Sequence, residues 1–482
     1  MNASYPSTLA ADAKRELGDG FSGRCIGRND EDIIFANKQH AAELPLHLPD
    51  VLIRCQTAHD VVRAFEFVRN KAVSFSIRSG GHCFADLSNR GEAIIDCGDL
   101  IGFEVKDRNS VVAGPGVLSG DAIANLVQAG LTLPVGGCPL VALGGLSLVG
   151  GFGLTGRWNG ILSDRVRTAQ ILLADGNLVE CNGSQYSDLL WAITGAGPLG
   201  LGIVTQICLE AAPLYPGVAI AGAWPIAHAP EIFALWQSYA PLANHRLSLQ
   251  ISLMAPEDPR DPCYVRCYGA ILDTGGFGED MLETMLASMA KHFGPFARQI
   301  DVRPKSAHNM SLYACGAHTL EGELAWLPSR PYRGAALMAQ RSQFFDAPLS
   351  ESKIAQLVER LQATRTEVQL REIECIPWGG GYAQQNHRSC FSHRQAYMLL
   401  RYNCLTGQRP TQAIQASMQD WVNDCKEILA PEANGRLYAG YAERNVPNPM
   451  AAYFGNSTSR LNALKRQYDP TNVFMTSVGE IT

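Results

Sequence analysis

Hydrophobic and polar positions change period several times along the first half of the chain, and each change predicts an element. Residues 51–55 form a short apolar run that reads as a strand. Thr57-x-x-Asp60 follows with capping-box spacing, ahead of a helical stripe at Val61, Val62, Phe65 and Val68. Residues 72–77 read as a second strand that stops at Arg78-Ser79-Gly80-Gly81-His82, and residues 93–96 and 110–113 continue as strands. Residues 118–129 read as a helix ended by Gly130. Asp175-Gly176 sits as a hairpin turn between the apolar runs 169–174 and 178–181. After Pro213 and Pro216, strand-like runs (247–254, 264–272) alternate with helical ones (281–293, 352–364).

Length turns this pattern into a domain expectation. A chain of 482 residues exceeds one ordinary compact domain. The composition shift places a second domain at 217–435, between two pieces of the first, 1–216 and 436–482. Lysine and arginine total 40 against 46 acidic residues, a net charge of −6, which argues against a nucleic acid or an anionic membrane as main partner. The N-terminal residues carry no apolar core behind a positive segment, so a cytoplasmic protein is expected, with its fourteen cysteines reduced. No cysteine or histidine spacing suggests a metal site.

Residues 122–156 contain no charged side chain but hold nine glycines and two prolines, which excludes a membrane helix. Residues 114–160 contain 13 of the chain's 46 glycines, a density that predicts backbone lying against a flat or anionic ligand. Two GxGxxG matches fall nearby, and neither has the strand-then-helix context of a dinucleotide fold. No strand leads into Gly151–Gly156, and the match Gly195–Gly200 is followed by the strand-like run 201–209. A nicotinamide dehydrogenase is therefore the weaker enzyme reading.

A set of motifs in order along the chain carries a more specific resemblance: Arg78-Ser79-Gly80-Gly81-His82, Gly136-Gly137-Cys138-Pro139-Leu140-Val141, residues 144–159 with Ser163-Asp164, Asp188-Leu189-Leu190-Trp191, Gly202-Ile203-Val204-Thr205, Phe391-Ser392-His393-Arg394, Tyr453-Phe454-Gly455 and residues 468–474. Together they resemble the berberine bridge enzyme-like flavoproteins of the vanillyl-alcohol oxidase superfamily. The resemblance implies a two-domain α+β fold, with an FAD domain split in sequence around a substrate domain whose antiparallel sheet roofs the flavin. It also implies FAD bound through two covalent bonds, from His82 and from Cys138. Arg78, Ser79, Gly80, Gly81, Cys83, Gly137, Gly144, Gly145, Gly150 and Gly151 would line the cofactor, with Gly202, Ile203, Val204 and Asn472 toward the adenine side. Val141, three residues past the linked cysteine, holds the position that gates O₂ in the family.

For catalysis the resemblance points to Tyr441, at the end of Tyr438-Ala439-Gly440-Tyr441, as base or direct hydrogen-bond partner of the reacting hydroxyl. Tyr438, Tyr402 and Trp378 are further candidates, and Arg394, Tyr397 and Arg401 are expected around the same pocket. A phenol acting as base at neutral pH needs a cation or the flavin to lower its pKa. Alkaloid-cyclising members carry a glutamate base seven residues beyond the motif histidine; counting from His393 gives Leu400. The implied activity is removal of a proton and a hydride from a hydroxyl-bearing carbon of a sugar or secondary metabolite, with O₂ reduced to H₂O₂. Oxidative cyclisation, desaturation or decarboxylation, and a flavin-binding scaffold without redox chemistry, are the alternatives.

Overall fold

A computed structural model describes residues 8–37, 39–40, 47–273, 280–316, 337–365, 368–384, 388–407 and 411–474. Near the N-terminus a four-stranded sheet runs in the order Arg24–Gly27, Val51–Arg54, Ala93–Asp96, Phe75–Arg78, antiparallel at the first pair and parallel at the other two. Helix Ala58–Asn70 crosses over it. Its start is the expected capping box, with Thr57 accepting from the Asp60 N–H while the Asp60 carboxylate accepts from the Thr57 N–H. Val61, Phe65 and Val68 of the stripe are buried. The strand expected from residue 72 begins at Phe75 instead, because Ala72 takes a left-handed turn (φ 49°) off the helix.

A second sheet of five antiparallel strands follows: Phe103–Val105, Ser110–Ala113, Ile203–Glu210, Val166–Leu172, Leu178–Cys181. The Asp175-Gly176 hairpin closes its last pair, with Gly176 at φ 93°. Strand Ile203–Glu210, not a helix, follows the second glycine motif, and helix Leu143–Val149 precedes the first. Neither motif is a dinucleotide fingerprint. The uncharged stretch folds as the end of helix Ser119–Leu126, the short strand Leu131–Thr132 and helix Leu143–Val149, with loops between them. Among the described residues no helix is long and apolar enough to cross a membrane.

The largest sheet has seven antiparallel strands in the order Ile300–Lys305, Gly217–Pro225, Tyr264–Leu272, Leu247–Ala255, Leu370–Pro377, Met398–Thr406, Leu337–Phe345. Its two faces follow from strict alternation. Leu247, Leu249, Ile251 and Leu253 with Ile373, Cys375, Leu400, Tyr402 and Cys404 pack under helices Ala229–Tyr239, Glu351–Gln362 and Gln412–Leu429. Fully buried Trp236 and Trp421 anchor this core, and truncation of either to alanine should cost about 3–5 kcal/mol. The opposite face carries Gln250, Ser252, Arg266, Tyr268, Glu372, Glu374 and Arg401, and it turns toward the glycine-rich loops. The result is a two-domain α+β fold with a polar sheet face looking onto a glycine-lined bed.

Candidate functional site

Between the polar sheet face and the loops lies a cavity of about 770 Å³, within the ~300–1,000 Å³ typical of cofactor and small-molecule sites. Of the residues expected there, Arg78, Ser79, Gly80, Gly81, His82, Cys83, Gly137, Cys138, Val141, Gly144, Gly145, Gly202, Val204, Tyr438 and Tyr441 line it. Among the described residues, a Cβ on Gly145 would meet only Ser79 Oγ, at 3.9 Å, and one on Gly137 would meet nothing within 4 Å. Those two positions border open space, so their missing side chains leave room for a ligand and are not explained by tight packing. Ser88 Oγ, also on the lining, is buried without a hydrogen-bond partner among the described residues. A shaped, partly apolar cavity with bare backbone and an orphaned hydroxyl fits a large heteroaromatic cofactor such as FAD.

One wall holds the expected attachment residues. His82 Nδ1 lies 2.9 Å from the Gly80 carbonyl, and a carbonyl only accepts, so Nδ1 carries the proton and Nε2 the lone pair. Nε2 in turn lies 3.9 Å from Cys138 Sγ. Burial lowers the His82 pKa and keeps the ring neutral, while burial raises that of the Cys138 thiol. His40, which the sequence reading missed, stacks on His82 with centroids 4.0 Å apart and planes at 16°. His40, His82 and Cys138 have a metal-ligand composition, with ligand atoms within 4.8 Å of one another. Two near-parallel stacked imidazoles cannot both direct an in-plane lone pair at one ion, so the trio is read as a packed attachment corner and not as a metal centre.

Arg78 reaches the cavity, but its guanidinium is committed to structure. It donates to Asp96 Oδ2 (2.6 Å), the Ala36 carbonyl (2.7 Å) and Asn37 Oδ1 (2.9 Å), which fixes the strand end from which the Ser79–His82 loop departs.

Several expected site residues lie elsewhere. Tyr402 points through the sheet into the helix-covered core and donates to Gln343 Oε1 at 2.8 Å, since even-numbered positions of Met398–Thr406 face that side. Trp378 is fully buried one layer behind the cavity, edge-on to Phe152 at 5.3 Å and stacked on Tyr382. Gly150 and Gly151 are backing, not lining: a Cβ on Gly150 would strike the Phe391 ring at 2.8 Å, and the Gly151 N–H donates to the Tyr438 hydroxyl at 2.9 Å. Ile203 alternates away from its lining neighbours Gly202 and Val204 into the core, and Asn472 occupies an exposed turn at φ 51°. Arg394 forms a bidentate pair with Asp164, both bonds 2.7 Å, and the Tyr397 hydroxyl donates to the Gln237 carbonyl. The same alternation buries Leu400 in the core and presents Arg401 to the cavity.

Around Tyr441 the site is aromatic on one side and charged on the other. Its ring meets Tyr438 at 5.0 Å and Phe152 at 5.8 Å, both edge to face, and the Arg401 guanidinium lies 4.7 Å from its centroid. Burial raises the Tyr441 pKa well above its ordinary value near 10; Arg401 opposes that effect, and Glu374 and Glu372 reinforce it. The cation expected beside Tyr441 is present, but the net shift is upward, so the phenol stands protonated at neutral pH. Arg401 pairs with Glu374 at 2.9 Å and Arg266 with Glu372 at 3.0 Å. The acidic pair, Arg266, Gln250 and Tyr268 were missed. Their signal was present as period-two patterns: Glu372 and Glu374 alternate with Ile373 and Cys375, and Arg266 and Tyr268 with Val265 and Cys267.

Comparison with known proteins bears on what this cavity holds. Residues 49–182 match the family model "FAD binding domain" and residues 437–479 match "Berberine and berberine like". An FAD-linked oxidoreductase of Bacillus subtilis (strain 168), YgaK, is 25% identical over 460 residues, covering 94% of this chain and 95% of its own. Among solved structures, wild-type BBE-like 1 of Physcomitrella patens superposes with a TM-score of 0.82 at 19% identity, covering 99% of this chain and 100% of its own. A chitooligosaccharide oxidase superposes with a TM-score of 0.78 at 20% identity, covering 97% of each chain.

Proposed function

The chain belongs to the berberine bridge enzyme-like FAD-linked oxidoreductases of the vanillyl-alcohol oxidase family, and from that premise we propose that it is an oxidase acting on a hydroxyl-bearing carbon of a sugar or secondary metabolite, with O₂ as electron acceptor. In this reading residues 1–216 and 436–482 form the FAD domain and residues 217–435 the substrate domain. The FAD is held at His82 and Cys138.

The observation that carries the proposal is convergence on one cavity. His82 and Cys138, carried on loops, and Tyr441, Arg401, Glu374 and Tyr268 all line it. FAD, when bound, supplies the two-electron acceptor for a hydride and passes its electrons to O₂. The chain's own residues do the rest. Tyr441, protonated and fixed by its ring contacts, donates a hydrogen bond to the reacting oxygen, whose own proton passes to solvent as the carbon loses its hydride, and Phe152 and Tyr438 hold the phenol in place. The Gly151 N–H fixes the Tyr438 oxygen in turn. The guanidinium-carboxylate pairs balance charge across the sheet face, which favours an uncharged polar substrate over an ion.

A panel of mono- and oligosaccharides and benzylic alcohols, read by H₂O₂ release from the holoenzyme, tests this. Peroxide from at least one hydroxylated compound supports the proposal. Binding without peroxide across the panel, with a flavin that dithionite still reduces, favours the scaffold reading instead.

A further inference from the structure

One row of the seven-stranded sheet bears on the proton of Tyr441. The register sets Arg266, Ser252, Glu374, Arg401 and Ser342 side by side across five strands. Glu374 lies in this row and Glu372 lies two residues along the same strand, opposite Asn403, and the two buried glutamates differ. Glu372 is fully engaged, taking Arg266 at 3.0 Å, Ser252 at 2.8 Å and Asn403 at 3.2 Å. Glu374 accepts from the Tyr268 hydroxyl through Oε1, while its Oε2 lies 2.9 Å from Arg401 and is buried without a hydrogen bond from any described residue. Arg401 thus stands between two groups, the Glu374 carboxylate and the Tyr441 ring 4.7 Å away.

We infer that Glu374 is a positioning residue that sets, through Arg401, how tightly the Tyr441 hydroxyl holds its proton. Ionised, Glu374 cancels the charge of Arg401 at close range, and Tyr441 keeps its proton. Made neutral, it leaves the full guanidinium charge on the Tyr441 ring and oxygen, and the O–H proton is released to solvent at lower pH. Among the described residues, the charged and titratable groups facing this unit include Arg266 and Tyr268 from Tyr264–Leu272, Glu372 from Glu374's own strand, Arg401 from Met398–Thr406, Tyr441 with Tyr438 from the loop that carries them, Tyr382 beside Tyr441, and Cys138, which interacts with Arg401. Glu374 touches both Arg401 and Tyr268. The catalytic consequence rests on the reading of Tyr441 as the hydroxyl that meets the substrate, whereas the coupling itself needs no substrate.

The test is a pH titration of ¹³Cζ-tyrosine-labelled holoenzyme by NMR, with Tyr441→Phe assigning the resonance. In wild type the Tyr441 signal should stay unshifted through pH ~10, where ordinary tyrosines are half-ionised. Glu374→Gln keeps the side-chain shape and an oxygen to accept from Tyr268, and it should bring the onset of ionisation down by roughly one unit or more. Glu374→Asp, which restores the charge at a shorter reach, should give an onset between those of Glu374→Gln and wild type. Glu372→Gln should move it less, because its charge is spent on Arg266. A Glu374→Gln signal that follows wild type at every pH, with the flavin spectrum unchanged, overturns the inference; so does an equal shift from Glu372→Gln. If Glu374→Gln does not fold, Glu374→Asp against wild type carries the comparison, since its shorter reach weakens the cancellation and should lower the onset measurably; an unmoved signal there overturns the inference as well. Peroxide release persisting alongside an unmoved titration would separate failure of this coupling from failure of the oxidase assignment.

Discussion

His82 Nε2 and Cys138 Sγ, from loops 56 residues apart in sequence, stand 3.9 Å from each other on one wall of the cavity. The two atoms belong to separate backbone segments, so as the proposed attachment points they are expected to act independently. His82→Ala and Cys138→Ala should each keep the flavin through acid precipitation, while the double variant should release it. Loss of all flavin from either single variant would show that only one attachment exists.

Oxygen access should depend on Val141. It lines the cavity beside the Cys138 loop, and its carbonyl is fixed by the Ser119 N–H at 2.8 Å, so the side chain has little freedom to move aside. Val141→Leu should slow reoxidation of the reduced flavin by O₂ much more than its reduction by substrate. Stopped-flow reoxidation equal in the two proteins would remove the residue from this role.

Tyr441→Phe preserves the ring contacts to Phe152 and Tyr438 and deletes only the oxygen. Loss of one positioned hydrogen-bond donor to the reacting oxygen should cost roughly 10²–10³ in the rate of anaerobic flavin reduction. Covalent flavin and melting temperature should survive, since neither uses the hydroxyl. A variant that reduces within about threefold of wild type would assign the role elsewhere, with Tyr268 and Tyr438 next in reach.

The parts of the fold set by local rules were legible in the sequence, and those set by which way a strand faces were not. The Thr57 capping box, the Asp175-Gly176 hairpin and the rejection of both GxGxxG motifs needed only neighbouring residues. Motif order also brought His82, Cys138 and Tyr441 to one cavity. Counting from His393 failed at Leu400 because a one-residue step in a strand reverses the face, and Arg401 holds the inward position. Tyr402 was misplaced for the same reason. Glu372 and Glu374 went unread because their meaning depends on a strand 27 residues away along the chain: Arg401 stands directly opposite Glu374 only once the sheet is paired.

His393 should make the protein acid-sensitive. Its ring is stacked on Phe344 at 4.5 Å with Nδ1 unpartnered, and burial pushes its pKa down to about 3 from the ordinary 6.5. Below pH 6.5 the unfolded chain takes up a proton that the folded chain refuses until about pH 3. Stability is therefore full above 6.5 and falls through that window by about 1.4 kcal/mol per pH unit from this group alone. Thermal denaturation of His393→Gln between pH 6.5 and 4 should show a shallower pH dependence than wild type. Parallel curves would mean that another group governs acid stability.

The central claim is that this cavity oxidises a hydroxyl-bearing carbon at a bound flavin and hands the electrons to O₂. The most direct test is anaerobic mixing of the holoenzyme with a hydroxylated compound chosen from the peroxide screen, followed by admission of air. The flavin absorbance should bleach in a single turnover with formation of one equivalent of carbonyl product, and return in air with one equivalent of H₂O₂. A flavin that stays oxidised with every hydroxylated compound tried, or one that bleaches without a carbonyl product, would contradict it.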